Sequence, residues 1–429
     1  MGGGLLQLVA YGAQDAYLSG NPQITFWRGL FKRHTNFAME PFRVNMTGQA
    51  SWGTKHSAIL TRYADLVSSC YLEVELDVID QTTYPIRYGP NDPTTARRNQ
   101  IKAAYNMLRY VELDIGGQII DRMYGEWMLI WTGLTCSYSD LLKLTAMMYD
   151  SGPSNTCGNS GFKTLGNSYH IPLPFYFARN PGAAIPLIAL QYHEVKINVM
   201  WNKSEIVQAS SGSADLPNGP RQVNLICDYV YLDVEERRRM AQESHEYLIE
   251  QTQYNEDKGV TGAAIRCDLT FNHPVKELVW VVQNSAYSQC VLAGGGSSSN
   301  LDPFYYNEMN MHDCSIQLNG QDRVSKLYGP YYNAVQPFQH HSGGHNVSVA
   351  GTTIHSSVYM YSFAIKPEEH QPSGTCNFSR IDTATLVMNL NGDQSASLLD
   401  NQNYDVRVYA LNYNILRVMS GMGGLAYSN

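Results

Sequence analysis

The chain has 429 residues, a formal net charge of −8 and a charged fraction of only 16%. This length is large for one compact domain and suits two domains of about 200 residues each. Asp15 is the only charged residue between Met1 and Trp27, whereas a shell protein that packages nucleic acid directly usually has a basic arm. We therefore expect no direct contact with nucleic acid. We also expect no membrane insertion, because no apolar run approaches the roughly 18 residues of a membrane span.

Tyrosine is unusually frequent, with 30 residues, while charged residues are scarce. A tyrosine side chain combines an apolar ring with a polar tip, which suits surfaces that become buried against other chains. Because aromatic residues also favour strands, a tyrosine-rich β protein without a partner is the alternative interpretation. The combination of low charge and high tyrosine content favours a protein that associates with other chains.

Eight cysteines are dispersed along the chain, and none of them forms a C-x-x-C pair. A protein of this size does not depend on disulfides for a stable core. We therefore expect a reduced, cytosolic origin and a fold that disulfides do not hold together. The cysteines are residues 70, 136, 157, 227, 267, 290, 314 and 376.

Alternation of apolar and polar residues is common along the chain, whereas helical periodicity is scarce. Residues 71–78 place an apolar side chain at every second position, which predicts a strand with one buried face. Two such stretches run into turn signals, Gly116-Gly117 and Asn319-Gly320, and the second of these is typical of a tight hairpin. The stretches before these turns are 111–115 and 316–318, and two more alternating stretches are 386–390 and 406–410.

Clusters of Gly, Ser, Asn and Pro separate the predicted strands, and several are longer than an ordinary hairpin loop. They are residues 151–168, 210–220, 293–300 and 340–357. The segment GSADLPNGP, residues 212–220, lies at the midpoint of the chain and combines two prolines with two glycines. It predicts a domain boundary. We expect an N-terminal arm over residues 1–25, one domain over 26–212 and a second over 213–429.

Three blocks of the first half recur in the same order in the second half. The paired blocks are Leu72–Leu76 with Leu278–Val282, the hairpin ending at Gly125 with that ending at Gly329, and Phe177–Pro181 with Phe378–Asp382. Three collinear matches indicate duplication of a β domain of about 200 residues. Immunoglobulin-like sandwiches are the alternative, but their domains run to about 100 residues. We therefore predict an all-β fold of two consecutive eight-stranded jelly rolls.

Several long segments, in order, resemble the major capsid proteins of nucleocytoplasmic large DNA viruses, the group that contains chlorella viruses and iridoviruses. These segments are residues 4–15, 18–37, 177–199, 236–251, 361–382 and 415–429. The resemblance implies a double jelly roll that forms homotrimers with a pseudo-hexagonal outline, which tile the facets of an icosahedral shell. It also implies contacts with neighbouring capsomers and with minor capsid or cement proteins. The expected location is the virion capsid, assembled in the host cytoplasm.

No arrangement of residues predicts catalysis, a cofactor or a metal site. His340, His341 and His345 lie together in a Gly-rich loop. Metal-binding jelly rolls instead use a His-x-His or His-x-Asp/Glu pair with a distant histidine. We interpret the cluster as a polar, exposed loop tip.

Three other groups could in principle provide acid and base chemistry: His193-Glu194, His245-Glu246, and Glu368-Glu369 before His370. His193 lies in an alternating stretch, where a structural histidine is the expected role. The third group lies between prolines within a segment of the capsid resemblance, which favours a rigid turn. None of the three is therefore predicted to be catalytic.

The chain contains four Asn-x-Ser/Thr triplets, at Asn45, Asn202, Asn346 and Asn377. Assembly in the cytosol would separate them from the secretory glycosylation machinery. Asn346, in the long loop after His340, is the one acceptor that we expect to face outward.

The expected function is that of a structural, non-enzymatic shell subunit. The alternative is a minor capsid protein, or a carbohydrate-binding or attachment jelly-roll protein, of the same virion. Copy number distinguishes the two, because only the shell subunit dominates the particle.

Overall fold

The computed structural model describes residues 9–27, 29, 32–48, 50–76, 96–148, 168–207, 219–262, 264–285, 311–343, 358–390 and 403–427. The chain divides into a short unit, Met1–Phe37, and a large unit, Ala38–Asn429. The short unit contains one described helix, α1 (Ala16–Ser19), in which no residue is buried. It ends where the first strand begins, twelve residues beyond the arm that the sequence predicted.

The first half of the large unit is built of nine strands in its described part. They are β1 (Phe37–Asn45), β2 (Lys55–Ile59), β3 (Leu66–Glu75), β4 (Leu108–Ile115), β5 (Gln118–Tyr124), β6 (Ser168–Pro172), β7 (Ile185–Pro186), β8 (Val195–Trp201) and β9 (Gln222–Leu232). The helices between them are α2 (Ala96–Asn106), α3 (Gly125–Thr135), α4 (Tyr138–Met147), α5 (Tyr176–Arg179), the 3₁₀ turn Pro181–Ala183 and α6 (Ser204–Val207).

Helix α7 (Val234–Gln242) leads into the second half. The strands there are β10 (His245–Val260), β11 (Ala264–Asp268), β12 (Pro274–Asn284), β13 (Met311–Leu318), β14 (Gln321–Tyr328), β15 (Val358–Ser362), β16 (Cys376–Asn377), β17 (Ala384–Leu390), β18 (Tyr404–Met419) and β19 (Met422–Leu425). A π turn (Tyr331–Val335), α8 (Gln336–His340) and a 3₁₀ turn (Phe378–Arg380) complete it.

The two halves have the same strand order. In the first, one sheet runs β1-β9-β3-β6 and the other β2-β8-β4-β5. In the second, the corresponding sheets run β10-β18-β12-β15 and β11-β17-β13-β14. Even the short additions match, since β7 pairs with β3 and β16 pairs with β12. Each half thus has two sheets with a four-strand path in the same order, to which β19 adds a strand beside β18 in the second half, and the predicted double jelly roll is confirmed.

Two of the three sequence matches fall on equivalent elements. The first pair lies in β3 and β12, and the second is the hairpins β4-β5 and β13-β14. A Cβ atom on Gly125 would lie 2.2 Å from the carbonyl oxygen of Leu108, the first residue of β4. A Cβ atom on Gly329 would lie 2.1 Å from that of Met311, the first residue of β13. The duplication therefore preserves a close backbone contact as well as a sequence pattern.

The change between halves lies later in the chain than the sequence predicted. Strand β9 pairs with β3 from Leu66↔Val230 to Glu75↔Gln222, so it belongs to the first half. The predicted boundary at residues 212 and 213 would have placed this strand in the second half. The sheets change between Leu232 and His245, across α7. The proline-rich segment instead precedes the last strand of the first jelly roll.

Buried apolar residues form two clusters, and the sheet β10-β18-β12-β15 contributes to both. On β12, Leu278, Trp280 and Val282 lie in the core of the second half. The intervening Val279 and Val281 lie in the core of the first half. This sheet is consequently covered on both faces, which explains why the central positions of β12 are all buried.

We expect Gly329→Ala to lower the free energy of unfolding by about 1–3 kcal/mol, because the new methyl group would collide with the backbone carbonyl of Met311. Gly182→Ala is the matched control, since its Cβ would meet nothing closer than 3.4 Å. Denaturant unfolding of both variants measures the difference. Equal midpoints for the two variants would contradict the close contact at Gly329.

Candidate functional site at the junction between the two halves

The junction between the two halves combines stacked aromatic rings with buried charged groups. It is formed by β5, α3 and α5 of the first half and by β10, β12, β18 and the α8 region of the second. The Trp127 ring stacks on Tyr409 at a centroid distance of 5.2 Å. Tyr124 packs on Tyr254 at 4.3 Å. These contacts leave little water around the charges, so each charge needs a partner within the protein.

The first ionic contact joins Glu126 to Arg407. Glu126 lies in the first turn of α3, where a carboxylate interacts favourably with the helix dipole. The Arg407 guanidinium, on β18, reaches its two carboxylate oxygens at 2.8 and 2.7 Å. The Tyr409 hydroxyl donates to the same carboxylate at 2.6 Å. One carboxylate of the first half is thus contacted by two side chains of the second.

Glu250 is the centre of the second contact, because it pairs with a cation from each half. Lys276 of β12 lies 2.6 Å from one of its oxygens, and Arg179 of α5 lies 2.9 Å from the other. The Lys276 side chain is 0% exposed and also donates to the carbonyl oxygen of Pro367 at 2.7 Å. Burial lowers the pKa of Lys276, and Glu250 opposes that shift. Arg179 additionally lies over the Trp131 ring, 4.9 Å from its centroid.

Asp121 of β5 forms the third contact, accepting a hydrogen bond from the backbone N–H of Thr252 at 3.0 Å. Burial raises the pKa of Asp121 to about 6, although this hydrogen bond and the nearby Arg179 oppose the shift. The neighbouring Gln251 donates from its side chain to the carbonyl oxygen of Ile120. Backbone and side chain of β10 are therefore both tied to β5.

His341, directly after α8, makes the fourth contact. Its Nε2 lies 2.9 Å from Glu277 and its Nδ1 lies 2.9 Å from Glu368. Both nitrogens face carboxylates, so both donate and the ring is an imidazolium. Burial alone would lower the pKa of His341, but the two carboxylates outweigh it and raise the pKa to about 9.

The residues next to His341 attach this segment to the first half. The N–H of Gly343 donates to the carbonyl oxygen of Leu134 at 2.8 Å, and the Ser342 hydroxyl donates to that of Thr135 at 3.2 Å. Both acceptors lie at the end of α3. The edge of the Trp131 ring also meets the His341 ring at a centroid distance of 6.2 Å.

The interpretation of the histidine cluster as an exposed loop tip is wrong for His341, whose side chain is fully buried. The composition of the loop predicts exposure to solvent, but α3 of the first half covers it. His340 lies beside it with Nδ1 3.0 Å from the carbonyl oxygen of Ile365, and His345 lies outside the described residues. Both nitrogens of His341 are occupied by carboxylates. Within the described part of the chain, no group of three His, Cys, Asp or Glu is arranged to hold a metal ion.

The other histidines considered from the sequence make structural contacts. His193 lies just before β8 rather than within it, and its Nδ1 is 2.9 Å from the carbonyl oxygen of Gly423. His245 Nε2 is 2.7 Å from the carbonyl oxygen of Met240. Asn346, the predicted glycosylation acceptor, lies outside the described residues. None of the described helices is long and apolar enough to cross a membrane.

Sequence reasoning missed most of the charged residues at the junction. Glu250, Lys276 and Arg407 were not singled out, and Arg179 was noted only as part of a repeat. A signal was nevertheless present, because Lys276 and Arg407 interrupt strands that are otherwise largely apolar. A charge inside such a strand is expected to have a buried partner. The pairs Glu126–Arg407 and Glu250–Arg179 join one half to the other.

The raised pKa of His341 predicts an alkaline loss of stability. Because the folded pKa of about 9 exceeds the ordinary value of 6.5, the stabilisation is complete below pH 6.5 and disappears as the pH rises through 9. It amounts to about 3 kcal/mol. The thermal unfolding temperature of the wild-type protein should fall between pH 6.5 and 10, and this fall should be largely absent in His341→Gln. His245→Gln is the control and should keep the wild-type slope; an equal slope in His341→Gln would contradict the assignment.

Removing the shared carboxylate should strongly destabilise the protein. Glu250→Gln leaves Lys276 and Arg179 buried without an anion, which costs about 3–5 kcal/mol. Glu246→Gln is the matched control, four residues earlier on β10. Its pair with Arg417 is about half exposed on both sides, so we expect a cost below about 1 kcal/mol. Urea unfolding compares the two, and similar costs would show that the buried contact has no special role.

Two family profiles cover almost the entire chain. The profile described as "Major capsid protein N-terminus" matches residues 25–233, and that described as "Large eukaryotic DNA virus major capsid protein" matches residues 236–424. Their border falls in α7, where the sheets change. The family division and the strand pairing therefore agree.

Sequence relatives and solved structures agree with these profiles. The chain is 43% identical to the major capsid protein of Pyramimonas orientalis virus and 38% identical to that of Paramecium bursaria Chlorella virus 1, over the full length of all chains. A quasi-atomic structure of the PBCV-1 virus capsid matches with a TM-score of 0.71 at 34% identity, covering 94% of this chain and 100% of the other. The Faustovirus major capsid protein shares the fold, with a TM-score of 0.70 at 11% identity and coverage of 95% and 94%.

The duplicated jelly rolls, the border between them and the full-length relatives lead to one conclusion. The chain belongs to the major capsid proteins of large eukaryotic DNA viruses, and its role is structural.

Proposed function

We propose that three copies of this chain associate into a capsomer with a pseudo-hexagonal outline, and that such capsomers tile the facets of an icosahedral shell. The observation that carries the proposal is the identical strand order in the two halves. One chain then presents two similar footprints, and three chains around a three-fold axis present six. This role requires no catalysis.

The buried ionic contacts support this proposal, because a hexagonal outline requires a fixed angle between the two jelly rolls. Apolar packing alone tolerates sliding and repacking, whereas a charge that loses its partner in a buried site is costly. Glu126 of the first half faces Arg407 of the second, and Glu250 of the second half faces Arg179 of the first. These contacts hold the two jelly rolls as one rigid building block.

Pseudo-symmetry suggests which surfaces meet between neighbouring chains. In the first half, α3 follows the hairpin β4-β5 and covers the sheet of the second half. In the second half, α8 follows the equivalent hairpin, and its Phe338 side chain is 87% exposed. A six-fold-like ring would place α8 against the first-half sheet β1-β9-β3-β6 of the next chain. A large exposed aromatic side chain is the kind of anchor that such a contact uses.

The proposal also covers the other parts of the chain. It comprises an N-terminal arm that ends at or before Phe37, a first jelly roll that continues to Leu232, and a second that starts at His245. Further contacts are proposed with neighbouring capsomers and with minor capsid or cement proteins. Assembly is proposed to take place in the host cytoplasm, without direct contact with nucleic acid.

A minor capsid or carbohydrate-binding attachment protein of the same virion is the second candidate. The same jelly-roll fold supports it, because jelly rolls also occur in lectin domains. A stained gel of purified particles separates the two candidates by copy number. The shell subunit should be the dominant band near 48.1 kDa.

Light scattering on the full chain at micromolar concentration should give a mass of about three times 48.1 kDa. Phe338→Ser should weaken the association of the chains by about tenfold or more, while the unfolding of the separate chain stays nearly unchanged. Val234→Ser, which also replaces an exposed apolar side chain by serine, at a residue of α7 that is 72% exposed, is the control. A monomer that persists on concentration would refute the trimer. A trimer indifferent to Phe338→Ser would refute only the α8 contact.

A further inference from the structure

Two cysteines face each other in the centre of the first jelly roll. Cys70 of β3 and Cys227 of β9 are directly opposite in the antiparallel register. Their sulfur atoms are 3.1 Å apart, and both residues are buried. They come from positions 157 residues apart in the chain, so the pair exists only in the folded protein.

The backbone at this pair already has the spacing of a disulfide. Opposite residues in an antiparallel sheet have Cα atoms about 4.5–5.5 Å apart. Disulfides accept Cα separations of about 4.4–6.8 Å, so no strand needs to shift for the sulfurs to approach bonding distance. The other buried cysteines that lie in paired strands are not opposite a second cysteine. Cys267 lies opposite Leu386, and Cys314 lies opposite Met388 and Leu327.

We infer that Cys70 and Cys227 are an oxidation site at which a peroxide converts the two thiols into a disulfide that crosslinks β3 to β9. The facing register and the sulfur contact carry this inference. Nothing in the structural role of the capsid protein requires two cysteines to face each other. The reaction becomes relevant once the protein leaves a reducing cytosol.

The chemistry balances with hydrogen peroxide as the oxidant. One thiol loses its proton, and its sulfur attacks a peroxide oxygen, giving a sulfenic acid and hydroxide. The proton converts the hydroxide into water. The second sulfur then displaces the sulfenic oxygen, which leaves with the remaining thiol proton as a second water. Two thiols and one peroxide thus yield one disulfide and two waters.

The surroundings of the two thiols predict that their oxidation is slow and that the disulfide persists once it has formed. Burial raises the pKa of Cys70 well above that of a free thiol, and contact with Cys227 raises it further, so the reactive thiolate is scarce. The completed disulfide would be shielded from reductants by the same burial. It would close a loop of 157 residues, and the loss of freedom in the unfolded chain makes such a crosslink stabilising.

The experiment treats the native full-length chain with hydrogen peroxide at neutral pH and removes the excess with catalase. The protein is then unfolded, its remaining thiols are alkylated, and it is digested without reductant for mass spectrometry. We expect the peptide with Cys70 linked to that with Cys227, a loss of two of the eight thiols, and release of the link by a reductant. The oxidised chain should unfold about 5–10 °C above the reduced chain.

Two variants sharpen the result. Cys227→Ala should give neither the crosslink nor the rise in unfolding temperature, while Cys267→Ala should give both. If Cys227→Ala does not fold, peptide mapping of the wild-type chain still shows whether Cys70 and Cys227 are linked. Recovery of Cys70 and Cys227 as free thiols while other cysteines or methionines are oxidised would overturn the inference. So would their linkage to other cysteines. A crosslink without a higher unfolding temperature would refute its stabilising role.

Discussion

The sheet β10-β18-β12-β15 must bury both of its faces, and much of the chain is arranged to meet this requirement. One face completes the second jelly roll, and the other is covered by α3, α5 and β5 of the first. The apolar positions of β12 therefore alternate between two cores rather than between core and solvent. Such strands are apolar at nearly every position, as in sheets that are covered by helices on both sides.

Charged residues in such a sheet determine how the halves fit together. An apolar side chain can be accommodated in several packings, but Glu250 meets Arg179 of the first half in only one. Buried ion pairs contribute little net stability, because desolvation offsets most of their attraction. Their effect is to penalise every other arrangement. The exposed pair of Arg417 on β18 with Glu246 on β10 cannot do this, because water substitutes for either partner.

Local patterns in the sequence predicted the parts of the fold that depend on local contacts. The alternation in Leu72–Leu76 and the turn at Asn319-Gly320 depend on neighbouring residues, and both lie where they were predicted. The duplication was also visible, because equivalent hairpins keep their glycines. The boundary was misplaced because the last strand of a jelly roll returns to pair between earlier strands. Composition marks the loop before β9 but cannot show that β9 pairs with β3, about 150 residues earlier.

The junction was harder to predict for the same physical reason. The burial of His341 depends on α3, about 200 residues earlier in the chain, while its own neighbours are glycine, serine and histidine. Local composition therefore predicted an exposed tip. The carboxylates that pair with His341 lie in its own jelly roll, but the contacts with Leu134, Thr135 and Trp131 that cover this segment come from the other one.

The two jelly rolls are equivalent in topology but not in their surroundings, and this difference bears on assembly. Strand β10 is largely buried or half-buried over its 16 residues, whereas the equivalent β1 is exposed at most of its 9. On β3, the residues that face away from the core are Ser69, Tyr71, Glu73 and Glu75, all of them half-buried. The equivalent face of β12 carries Val279 and Val281 against the first half. In the proposed trimer, the first-half sheet would therefore meet the next chain through a more polar surface than the one within the chain. This difference in polarity favours a sequence of two steps. The apolar junction forms as the chain folds, and the polar contact forms afterwards between folded subunits.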